Sequence, residues 1–132
     1  MPALYIVLDR EQEDLDVQVN GKALSANDEL LGEFARDLSL TPLMAFFSMD
    51  PVTAAEFVDD AGGDSSFMTF PDEEWFEPSL GLTTVRGLSN YVKEYASSVP
   101  DAEHVLSDLT DFERVLLGAE AYGLRWHLAV DF

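Results

Sequence analysis

Residues 3–8, Ala-Leu-Tyr-Ile-Val-Leu, are apolar without interruption and rich in β-formers. A strand covered on both faces reads this way. Residues 14–19 alternate instead, with Leu15, Val17 and Val19 on one face and Asp14, Asp16 and Gln18 on the other. That spacing predicts a second strand. Asn20-Gly21 behind it favours a type I′ turn, with Lys22–Leu24 as a short return.

The period then lengthens. Leu30, Leu31, Phe34, Ala35 and Leu38 form one helical stripe, which predicts a helix over 26–38 capped by Ser25, with Asp28 and Glu29 at the positive end of its dipole. Thr41-Pro42 interrupts it, and Leu43–Phe47 reads as one further short helical turn. Asp50-Pro51 opens a helix to about Asp60, which Gly62 or Gly63 ends. Residues 61–79 read as an ordered loop around an extended piece, Phe67–Phe70. Leu82, Val85, Leu88, Val92 and Tyr95 predict a helix from about Leu80 to Ser97. Pro100-Asp101 opens a last one, reaching Tyr122, with Val105, Leu109, Phe112, Leu116 and Ala119 inward. Thr110-Asp-Phe-Glu113 resembles a capping box and places a break near Leu109. Beyond Gly123, residues 124–132 form a strand with Trp126, Leu128, Val130 and Phe132 on one face. Arg125, His127, Ala129 and Asp131 take the other.

Strands at both ends and helices between them, without β-α-β alternation, predict an α+β fold. The N- and C-terminal strands are neighbours in a small sheet that about four helices cover. The length, 132 residues, suits one domain.

Charge changes this picture more than any motif. There are 26 acids against 7 Lys plus Arg, a formal net charge of −19. Hydrophobic content of 47% keeps the chain in the folded class despite that charge. Nucleic acid and anionic lipid are poor partners, because both recruit Lys and Arg. Basic proteins are good ones. The apolar run at the N-terminus has no basic residue before it and reads as a strand rather than a signal peptide, and no run approaches a membrane span. With no cysteine in the chain, a cytoplasmic location is expected, and thiolate metal sites, disulfides and cysteine nucleophiles are excluded.

The ending Gly118–Phe132, with Gly123-Leu-Arg-Trp-His-Leu-Ala-Val-Asp-Phe132, resembles that of a set of small uncharacterised bacterial proteins. Asn20–Leu24 and Gly81–Leu88 are similar to segments of theirs. The resemblance spans most of the chain and implies no activity.

Catalytic and cofactor patterns are missing. There is no Gly-x-Ser-x-Gly elbow, and Gly62-Gly63 is flanked by Asp59, Asp60 and Asp64 rather than by a cation for phosphate. Those three acids lack the spacing of a calcium loop, and His104 and His127 lack ligand spacing. No catalytic residue, metal or cofactor is therefore expected. Two clusters remain. Asp9, Arg125, His127 and Asp131 could meet in a cleft if the terminal strands are adjacent, with Asp9 beside Asp131 as a coupled carboxylate pair. Residues 37–85 carry ten acids and no Lys or Arg. Within them Asp72, Glu73, Glu74 and Glu77 bracket Trp75 and Phe76, an apolar centre with a charged rim suited to a basic protein partner. The leading expectation is a non-enzymatic acidic interaction domain of the immunity, inhibitor or adaptor kind. The alternatives are a salt-adapted housekeeping domain, which having only two lysines would suit, and a small carboxylate-dependent enzyme. The oligomeric state is left open.

Overall fold

A computed structural model describes residues 3–48 and 73–131. Their elements run in the order β1 (Ala3–Leu8), α1 (Lys22–Ala26), α2 (Asp28–Asp37), a 3-10 helix (Leu43–Phe46), α3 (Pro78–Glu94), a 3-10 turn (Ala96–Ser98), α4 (Ala102–Ala121) and β2 (Trp126–Asp131). The fold is α+β, with the two terminal strands paired in an antiparallel sheet and four helices packed around it. The helix expected over 51–60 and the extended piece Phe67–Phe70 fall outside the described residues.

The register runs from Ala3 opposite Asp131 to Leu8 opposite Trp126. Leu4, Ile6 and Leu8 thus share a face with Trp126, Leu128 and Val130, and this face meets the helices. Trp126 and Leu128 have no exposed surface, while Val130 is half-buried. Below the sheet α4 contributes Val105, Leu109, Phe112, Val115 and Leu116, and α3 contributes Val85, Leu88 and Val92, all fully buried. The opposite face of β2 is covered as well, since His127 and Ala129 are buried. Tyr5, on the same face of β1, is 38% exposed. β2 is therefore the strand covered on both faces, whereas β1, expected to be so covered, leaves Tyr5 partly exposed.

Several sequence expectations give way to tertiary contacts. Residues 14–19 form no strand. The Arg114 guanidinium of α4 donates to the carbonyls of Asp16 and Gln18, which takes the place of a ladder. Leu15 rests on Gly118, where a Cβ would fall 2.3 Å from its Cδ1. Gly21 has φ −94°, so Asn20-Gly21 makes no type I′ turn. Its hydrogen side chain instead admits the β1 backbone, because a Cβ there would fall 2.0 Å from Leu4 O. The short return is the helix α1. Ser25 lies inside α1 rather than capping the next helix, and Asn27 stands between α1 and α2. Asn27 ties that elbow down by donating to Ala23 O and Pro100 O at 3.0 and 3.1 Å.

The later helices shift less. α3 starts at Pro78, whose missing N–H suits the first turn, and stops at Glu94. α4 is continuous through Leu109: the Thr110 hydroxyl donates to Leu106 O at 2.8 Å, a bond within a helix rather than a cap on a new one. Gly123, at φ +68°, turns the chain into β2. Among the described residues no helix is long and apolar enough to cross a membrane.

Candidate functional site

The two clusters singled out in the sequence meet on one surface. Phe76 and Trp126 exchange backbone hydrogen bonds of 2.8 and 3.0 Å, an antiparallel bridge on the edge of β2 away from β1. That register places Trp75 beside His127 and Glu77 beside Arg125. The Trp75 and His127 rings lie 4.8 Å apart at 57°. Glu77 Oε1 stands 3.2 Å from Arg125 Nε. Trp126 Nε1 donates to Glu77 O at 3.3 Å. One step along, the Ser48 hydroxyl donates to Glu74 O and accepts the Glu74 N–H, both at 3.1 Å, while Ser48 N–H donates to Leu128 O. The segment 73–77 is stitched to β2 by its own backbone.

This stitching fixes how each side chain is presented. Phe76 is half-buried, its ring edge-on to Phe46 at 5.1 Å. Trp75 is half-buried over His127, and Glu73 and Glu74 are exposed. Glu77 is exposed but engaged by Arg125, a surface pair worth at most about 1 kcal/mol. Asp72 falls outside the described residues. The apolar centre is thus pinned inward for part of its area, with Glu73 and Glu74 as its free rim.

The proposed cleft of Asp9, Arg125, His127 and Asp131 does not assemble. Asp9 and Arg125 do meet: Asp9 Oδ1 accepts the Arg125 N–H at 3.1 Å, and Asp9 N–H donates to Arg125 O at 3.0 Å. Asp131 lies opposite Ala3, six residues from Asp9 along β1, or about 20 Å. Antiparallel pairing sends the two acids to opposite ends of the sheet, so no coupled carboxylate pair forms. His127 is 3% exposed and sits under Trp75. Its Nδ1 lies 3.0 Å from Leu128 O, and its Nε2 has no partner among the described residues. Beside Arg125 is a hollow of 230 Å³ lined by Glu77, Ser79, Glu120 and Gly123. It holds two carboxylates around one guanidinium. Among the described residues no cluster of three or more His, Asp or Glu is placed to hold a metal ion.

The buried acid is one the sequence reading passed over. Asp108 of α4 is 6% exposed. Its Oδ2 accepts the N–H groups of Ala23 and Leu24 at 3.1 and 3.3 Å. Those are free donors in the first turn of α1, which has no cap of its own, so a distant helix supplies one. Burial raises the Asp108 carboxyl above its ordinary pKa, and the two backbone hydrogen bonds oppose that rise. Its position was visible in the spacing, three residues after Val105 and four before Phe112, on the inward stripe.

Fold and surface together define a small, acidic α+β domain whose C-terminal strand carries a stitched aromatic and carboxylate segment. No family model, curated protein or solved structure matches the chain.

Proposed function

We propose that this chain is a non-enzymatic, cytoplasmic interaction domain that binds a basic protein partner, as immunity proteins, inhibitors and adaptors do. The observation that carries the reading is how few carboxylates are neutralised. Of the 20 acids among the described residues, only Asp9, Glu77 and Glu113 lie within ion-pair distance of an arginine. Arg114 is given over to backbone carbonyls. The remaining field is of one sign, and such a field speeds encounter with a basic surface while repelling nucleic acid and anionic lipid. Glu73 and Glu74, beside the half-buried Trp75, combine that field with apolar area.

The test is capture of a partner from the native cell at low and high salt, repeated with Glu73→Lys/Glu74→Lys. The expected partner is basic, is released by salt and is captured more weakly by the variant. Capture indifferent to both salt and charge reversal would overturn the reading.

A further inference from the structure

β1 pairs with β2 along one edge only, and two hydrogen bonds fix which way its backbone groups point. Asp9 N–H donates to Arg125 O at 3.0 Å, so the odd-numbered residues face β2. Leu4 N–H donates to Gly21 O at 3.2 Å, so the even-numbered ones face away. Ile6 and Leu8 therefore turn their N–H and C=O groups toward the far edge, where none of the described residues bonds them. If the antiparallel bridge of Leu4 and Gly21 continued, Val19 would stand opposite Ile6 and Val17 opposite Leu8. It does not continue. Arg114 and Gly118 hold residues 15–18 against α4, and the two arms diverge around a crevice of 360 Å³ walled by Ile6, Leu8, Leu15 and Val17.

We propose that this edge of β1 takes an extended segment of a basic protein as an added strand. Ile6 is 5% exposed and its outward backbone groups have no partner among the described residues, whereas backbone groups of buried residues are nearly always paired. Sheet edges are normally guarded by Lys, Pro or a bulge, yet residues 3–8 contain no charge and no proline. Strand addition supplies the missing backbone partners, and the apolar walls receive every second side chain. The mouth decides the charge of the guest. Glu11 and Glu13 line it, Asp14 and Asp16 stand exposed nearby, and Arg10 is turned toward Asp9 and Gly123 O. An alternating strand with Lys or Arg outward and Val or Ile inward fits these conditions.

This surface is separate from residues 73–77, so the two readings fail separately. The probe is a synthetic octapeptide of alternating lysine and valine, with amide exchange of the full chain followed by NMR. The peptide is expected to slow exchange at Ile6 and Leu8 by about tenfold or more. A peptide N-methylated on the amides that would face β1 should leave exchange unchanged. Glu11→Lys/Glu13→Lys should weaken the peptide, and Glu73→Lys/Glu74→Lys should not. The proposal is overturned by unchanged exchange, or by equal slowing with the N-methylated peptide. Slow exchange without peptide would show that the chain itself closes the edge, and slowing that follows protein concentration would assign it to a second copy; either would overturn the proposal. Loss of peptide binding on reversing Glu73 and Glu74 alone would also overturn it.

Discussion

Trp126 lies across Gly81 so closely that a Cβ at that position would fall 2.3 Å from Cζ2 and 2.8 Å from Cε2 of the indole. The ring cannot retreat, because Phe46 stacks on it at 4.8 Å and Trp126 has no exposed surface. Gly81→Ala would gain about 1 kcal/mol of helix propensity, against about 1–3 kcal/mol for overpacking a rigid core. A net loss is expected. Trp126→Phe should relieve it, so the two changes together should destabilise less than their sum in urea titrations. Strict additivity would mean the ring moves aside freely.

Asp108 should respond differently to two truncations. Asp108→Ala leaves the Ala23 and Leu24 donors buried and unpaired, at a cost of about 1–3 kcal/mol. Asp108→Asn keeps an acceptor and removes the charge, so at neutral pH it should match or exceed the parent. The sign follows from the raised carboxyl pKa. Between the ordinary carboxylate pKa and the folded one, the folded state binds more proton than the unfolded. This group's contribution to stability therefore falls as pH rises through that window, and the deficit is complete above it. The advantage of the Asn variant should shrink as pH drops into the window, and denaturant melts across the acid range would check it.

Arg114 stands in for a strand. Arg114→Ala should free residues 15–18 while leaving the core intact, for a loss of about 1–2 kcal/mol from charged-group hydrogen bonds made at an exposed site. Amide exchange and protease cleavage should increase between residues 13 and 19 and nowhere else. If β1 and β2 loosen to the same degree, the segment is part of the cooperative core.

The terminal strands were legible because one is a continuous apolar run and the other alternates, and each pattern implies a covered face. Residues 14–19 alternate just as well, yet Val17 of their apolar face is exposed. The pattern does not say what meets the backbone, and here a side chain from α4 does. The juxtaposition of residues 73–77 with 125–127 had no local signal, since it depends on the route of the chain between them. The separation of Asp9 from Asp131 was implicit in strand direction, because antiparallel neighbours place the end of one beside the start of the other. Asp108 was missed for a different reason. An acid on an apolar stripe carries no local sign of burial, since its partners, the Ala23 and Leu24 N–H groups, come from a distant helix.

The acidic surface separates two readings by thermal melts. A binding domain should melt at nearly the same temperature across a salt series, apart from a modest loss at low salt from self-repulsion. A salt-adapted domain should lose melting temperature steeply as salt is removed. Trp75→Ala, at a half-buried ring over His127, should cost about 1–2 kcal/mol, below the 3–5 kcal/mol expected for Trp126→Ala. Equal losses would place Trp75 wholly in the core and remove it as an anchor.

Ala3 and Asp131 face each other at the same end of the sheet. Tension applied between them would load the ladder one rung at a time, with Leu4 and Val130 parting next, instead of stressing every rung together in shear. Peeling would end with Trp126 drawn out from between Gly81 and Phe46, and the core would lose its largest side chain last. A fold closed in this way is a zipper to a pulling machine, mechanically soft along that axis whatever its resistance to heat.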